Sequence, residues 1–151
     1  MLIVIAQENE IELVKEAGYL GTAPILITGP GIANVMKALK NIPRDEYIIN
    51  IGYAGSNNIK VGEWVDINDC RFHHEKASFW ELSKRLQTKG VPCYTSTDFV
   101  TETTLKQDCV FDMELAAICN MGFDKVRAMK KVSDNLNYKE YKKVDGEIQD
   151  E

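Results

Sequence analysis

Short apolar runs alternate along the chain with stretches whose apolar positions recur at helical spacing, the pattern of strands joined by crossover helices. Residues 2–6 are all apolar and read as a buried strand. Asn9, with Glu12 three residues on, reads as a capping box opening a short helix through Ile11, Val14 and Ala17, which Gly18 ends. Residues 24–28 predict a second strand, Gly29-Pro30-Gly31 a tight turn, and Ile32, Val35, Met36 and Leu39 the apolar face of the next helix. Residues 47–51 predict a third strand ending in Gly52-Tyr53-Ala54-Gly55, and residues 63–67 a fourth. The polar stretch 72–78 carries both histidines, His73 and His74, and reads as a loop before a helix from about 79 to 89. Further strands are expected at 91–95, 110–111 and 125–132, with a helix at 113–119 between the last two. This order predicts an α/β protein: a single three-layer domain with a mixed, mainly parallel central sheet flanked by helices. The domain is expected to span residues 1–137, leaving 138–151 as a charged C-terminal tail that is a frayed helix or disordered.

Composition narrows the function more than the fold. A chain of 151 residues is long enough for one well-buried core. Eighteen Lys and Arg against 23 Asp and Glu give a net charge of -5, without the basic footprint that phosphate-backbone binding needs, so nucleic acid is not expected as a partner. Cys70, Cys93, Cys109 and Cys119 form no C-x-x-C pair and sit in apolar segments, which predicts free buried thiols and a reduced, cytoplasmic protein. The apolar start runs at once into Gln7-Glu8-Asn9-Glu10 without a basic leader, and no window approaches the roughly 20 apolar residues of a membrane span.

In open α/β sheets ligands collect at the carboxyl ends of strands. The residues in those places are Glu8-Asn9-Glu10, Gly29-Pro30-Gly31, Gly52-Tyr53-Ala54-Gly55 and Ser133-Asp134. Each also suits a turn or a helix cap. The glycine turns lack the Lys of a phosphate-binding loop and the G-x-G-x-x-G spacing of a dinucleotide site. Asp112 reads as a helix cap, and Glu114 either as a ligand for substrate or as an acid stabilised at a helix N-terminus. His73 and His74 have no i, i+4 partner or nearby thiolate, so neither a metal nor any other cofactor is expected.

Taken in order, these segments resemble the purine nucleoside phosphorylase/nucleosidase superfamily, and within it the methylthioadenosine/S-adenosylhomocysteine nucleosidases. The resemblance runs from Met1 to about Asn135 through Ile5-Ala6-Gln7-Glu8-Asn9-Glu10-Ile11-Glu12, Thr28-Gly29-Pro30-Gly31-Ile32-Ala33-Asn34-Val35, Ile49-Asn50-Ile51-Gly52-Tyr53-Ala54-Gly55, Arg71-Phe72-His73, Phe111-Asp112-Met113-Glu114-Leu115-Ala116-Ala117 and Val132-Ser133-Asp134. It implies Glu10 as the water-activating carboxylate, Asp134 as the acid at purine N7, and Met113 and Glu114 as the ribose-binding pair. Phe99 and Val100 would stack on the base and bond it through backbone, and Gly31 and Gly52 would belong to the substrate-binding turns.

A purine–ribose bond breaks through an oxocarbenium-like state, which gains from an acid at the leaving base and a carboxylate near the sugar. The resemblance therefore implies a homo-oligomeric nucleosidase acting on a purine nucleoside such as methylthioadenosine. Phosphorolysis and a non-catalytic nucleoside-binding domain are the alternatives. Gln7 and Asn50 stand where the superfamily's phosphorylases carry arginines, which favours water as nucleophile. Tyr53 replaces the family's usual Ser or Thr, and its bulk is expected to crowd the nucleophile site. The chain also resembles a shortened family member, without the hairpin between first helix and second strand, with a cut loop after His73 and little beyond Asn135.

Overall fold

The computed structural model describes residues 1–73, 83–86 and 88–144. Strand β1 (Leu2–Ile5) lies between β2 (Ile25–Ile27) and β3 (Tyr47–Ser56), parallel to both. Strand β8 (Lys125–Asp134) runs parallel to β3 from Tyr47 beside Lys125 to Gly55 beside Asp134, with an irregularity in register at Ala54/Gly55. Strand β4 (Trp64–Phe72) starts antiparallel to β8 and continues parallel to β6 (Val91–Thr95). Strand β6 is parallel to β7 (Val110–Asp112), and β7 returns antiparallel to the end of β3 at Gly55 and Ser56.

The ring β3-β7-β6-β4-β8 therefore closes on itself, with β1 and β2 extending from it. The sheet is mixed and mainly parallel, as expected, but the flat three-layer arrangement gives way to a barrel. Closure follows from strand length: β3 and β8 each run through ten residues, past the predicted ends at 51 and 132, so that the far end of β3 reaches β7. Helices lie on both faces, as strand alternation requires. Ile3 and Ile5 of β1, Ile49 and Ile51 of β3 and Met129 of β8 pack on Leu13 and Val14 of α1 (Ile11–Glu16). The other face of the same strands, with Val4, Ile48, Ala128 and Val132, joins Val35 and Leu39 of α2 (Ile32–Leu39) and Leu115 and Ile118 of α3 (Leu115–Cys119).

Several local expectations are corrected. The capping box falls at Gln7 and Glu10, opening a single 3-10 turn (Glu8–Glu10) ahead of α1, instead of at Asn9 and Glu12. Ser83–Arg85, inside the predicted helix 79–89, is strand β5, antiparallel to β4; the earlier part of that helix and His74 lie outside the described residues. Cys70 and Cys119 are joined as a disulfide across 49 residues of sequence, while Cys93 and Cys109 are the free buried thiols expected of all four. Within the predicted tail, Tyr138–Val144 forms helix α4. Among the described residues no helix is long and apolar enough to cross a membrane.

Candidate active site

One pocket opens where the carboxyl ends of β1, β3, β7 and β8 meet. Glu10, Met113, Glu114 and Asp134 line it, with Phe99 and Val100 from the loop after β6. The sequence-predicted acids and the base-stacking segment are thus brought together. Gly31 and Gly52 stand one step behind the wall.

Each carboxyl is held differently. Glu10 is buried, and three backbone N–H groups donate to it: Ala6 and Gln7 to Oε1 at 2.9 and 3.0 Å, Tyr53 to Oε2 at 2.9 Å. Burial raises its pKa, while the Lys130 charge and those N–H groups restrain the rise. Gly52 makes the arrangement possible, because a Cβ there would lie 2.6 Å from Glu10 Oε2 and 3.4 Å from Lys130 Nζ. Glu114 sits ahead of α3, accepts the Gly31 N–H at 2.7 Å, and is pushed up to about 7 by burial and by the neighbouring Asp112 charge. Gly31 has φ 93°, a conformation that suits glycine and aims its N–H at this carboxylate.

Asp134 ends β8 and is fully buried, its Oδ2 accepting the Ser133 hydroxyl at 2.6 Å and its Oδ1 the Leu136 N–H at 2.9 Å. Burial outweighs these bonds and raises its pKa. A Cβ at Gly55 would lie 2.7 Å from Asp134 Oδ1, so this acid too occupies space left by a glycine of β3. Leu136, beside it, is the described non-glycine residue with positive φ, at 64°.

Two further charged residues complete the site, Asp112 in the pocket wall and Lys130 behind it. Lys130 of β8 is 1% exposed and its Nζ lies 3.1 Å from Asp112 Oδ2. Burial works against the ammonium, but Asp112, Cys93, Glu114 and Glu10 outweigh it and its pKa rises, so Lys130 is charged. Burial also pushes Asp112 up, but Lys130, Thr95 and the Leu115 N–H prevail and its pKa falls. Asp112 also takes the cap expected of it, accepting the Leu115 N–H at 2.8 Å.

The chain matches no known family profile and no curated protein sequence. Its fold matches solved enzymes. Futalosine hydrolase of Helicobacter pylori superposes with a TM-score of 0.72 at 12% identity, over 96% of this chain and 88% of that one. A mutant of the Helicobacter pylori methylthioadenosine/S-adenosylhomocysteine nucleosidase, with 5′-methylthioadenosine in its active site, gives 0.73 at 13% identity over 96% and 89%. The Neisseria meningitidis nucleosidase, in complex with methylthio-immucillin-A, gives 0.71 at 18% over 96% and 90%. The chain has the nucleosidase fold.

On that fold the motif residues of β1, β3, β7 and β8 fall around one pocket, and two features were missed in the sequence. Lys130 carried a readable signal: it shares the inward parity of Val126, Ala128 and Val132 in an otherwise apolar run. Tyr141 and Val144 of α4 also line the pocket, where the Asn9 side chain donates to the Val144 carbonyl at 3.3 Å and Phe99 packs on the Tyr141 ring at 5.2 Å. Nothing in a charged tail marks such a wall. Tyr53 lines the pocket and also packs with the α1 cluster beside Ile11 and Trp64, its backbone N–H being the group that reaches Glu10.

Proposed function

We propose that the protein is a nucleosidase-like hydrolase that cleaves the N-glycosidic bond of a purine nucleoside of the methylthioadenosine kind. The observation that carries this reading is the convergence of Glu10, Glu114 and Asp134 on one pocket, each in a different environment. Asp134, buried with a raised pKa and few donors, is suited to hold a proton and give it to purine N7. As that proton arrives, the electron pair of the C1′–N9 bond leaves with the base and positive charge builds on the sugar. Glu10, fixed by three backbone donors, takes a proton from the water whose oxygen forms the new bond to C1′. Glu114 accepts the ribose hydroxyls, with Met113 against the sugar and Phe99 and Val100 against the base.

Water is favoured over phosphate. Among the described residues no Arg or Lys lines the pocket, and the buried cation behind it is already engaged by Asp112. A phosphate dianion would meet Glu10 and Glu114 with no free cation to hold it. The test is base release from methylthioadenosine, adenosine and inosine, with and without phosphate, beside binding of the same nucleosides. Release independent of phosphate is the expected result. A phosphate requirement would make the protein a phosphorylase, and binding without release would overturn the enzymatic reading.

A further inference from the structure

The Asp112–Lys130 pair is fully enclosed, and a helix cap alone does not account for it. An uncharged Asn at 112 would serve α3 equally well. Instead Asp112 Oδ1 accepts the Thr95 hydroxyl at 2.5 Å, Oδ2 accepts the Leu115 N–H at 2.8 Å, and the ammonium lies against that same Oδ2. Thr95 Oγ1 in turn accepts the Ala116 N–H at 2.8 Å, so the carboxylate is locked to α3 and β6 together. The ammonium also lies near Glu10, since a Cβ on Gly52 would stand 3.4 Å from Lys130 Nζ and 2.6 Å from Glu10 Oε2.

The groups that face Lys130 are Asp112 on β7, Cys93 on β6, Glu114 ahead of α3 and Glu10 ahead of α1. Those that face Glu114 are Asp112, Lys130, Glu10 and the Gly31 N–H. One positive charge is therefore shared among three carboxylates, of which Asp112 lies within ion-pair distance of it at 3.1 Å. Without Asp112 the flexible lysine would turn to Glu10 and Glu114. A Glu10 carboxylate in a full ion pair is a weak base toward water, and a Glu114 carboxylate so engaged is turned away from the ribose.

We propose that Asp112 is a positioning residue: by clamping Lys130 from one side while capping α3, it sets how much of that cation's charge reaches Glu10 and Glu114. This rests on the nucleosidase reading of the same pocket. It makes a demand that a merely structural ion pair does not, because its two members act on the pocket carboxylates with opposite sign.

The experiment compares the full chain with Asp112→Asn, Lys130→Met and Lys130→Arg. It reads the pH profile of base release from methylthioadenosine and, separately, the titration of the Glu114 carboxyl by carbon NMR. Asp112→Asn is expected to move the acid limb and the Glu114 titration to lower pH and to cut kcat about tenfold, less than the roughly hundredfold or more of a wholly lost general base. Lys130→Met is expected to move both to higher pH, and Lys130→Arg to leave them in place. Shifts in the same direction, or none, overturn the proposal. Should Asp112→Asn fail to fold, the Lys130→Met shift and its rescue by Arg decide alone. A wild-type protein that releases no base would overturn the nucleosidase reading, while the Glu114 titration would still decide the role of Asp112.

Discussion

Gly52→Ala tests the site through its least conspicuous member. The backbone of Gly52 is not in the left-handed region, so alanine is allowed there and, in a strand interior, would ordinarily stabilise by about 0.5–1 kcal/mol. Here the added methyl would lie 2.6 Å from Glu10 Oε2, and the carboxylate must withdraw about 0.8 Å to reach the 3.4 Å at which ordinary contact begins. That movement stretches the 2.9 Å bond from the Tyr53 N–H to Oε2 toward its limit. A bond of this kind to a charged group contributes about 1.5–3 kcal/mol, so the net change is a loss of about 1–2 kcal/mol, or a few degrees in Tm for a chain of this size. Activity suffers more, because a displacement near 1 Å costs about a hundredfold in rate when the displaced group must meet an attacking water. Thermal unfolding and base release measured on one preparation separate the two effects. A variant with wild-type kcat and equal or higher Tm would refute the placement of Glu10 against Gly52 and its role at the water.

The remaining expectations concern the other two carboxyls. Asp134→Asn removes the proton donor while keeping the shape of the side chain, and is expected to lower kcat by about a hundredfold to ten-thousandfold with nucleoside binding retained; calorimetric binding beside turnover checks this, and unchanged turnover would refute the acid role. Glu114 is raised from 4.5 to about 7 in the folded chain, so the native state keeps a proton that the unfolded state releases, and stability falls as pH rises through that window. The loss is at most about 3 kcal/mol. Urea unfolding of Glu114→Gln against wild type is expected to show a variant that is more stable near pH 8 and equal near pH 4, and parallel curves would refute the buried, raised carboxyl.

The acids could be read in the sequence because each stands where local pattern changes. Glu10 follows the first apolar run, Glu114 opens a helix after another, and Asp134 ends the last, so strand ends and helix starts marked the segments, while the family resemblance chose these acids within them. What escaped was non-local. The closing of the sheet depends on register between β3, β7 and β8, which no window of sequence contains. Cys70 and Cys119 meet because β4 and α3 pack together, not because of their spacing. Lys130 sits beside Lys131, and only the parity of the strand separates the buried ammonium from the one that reaches Glu16 at 2.8 Å on the surface. Helix α4 reads as solvated because its lysines are, while Tyr141 and Val144 turn inward between them.

Strand β3 also makes room for two of the acids. Gly52 leaves space for Glu10 and Gly55 for Asp134, and three residues of strand separate the two glycines by about 10 Å. Consecutive inward positions would place both acids on one side of a bound sugar, whereas an odd separation turns one of them across the strand. The register irregularity at Ala54/Gly55, where Ser133 is passed over and Asp134 takes its place beside Gly55, corrects for that turn and returns the second acid to the pocket. On the proposed reading, Gly52 and Gly55 are thus the positions where one strand makes room for the carboxyl at the water and for the carboxyl at the base.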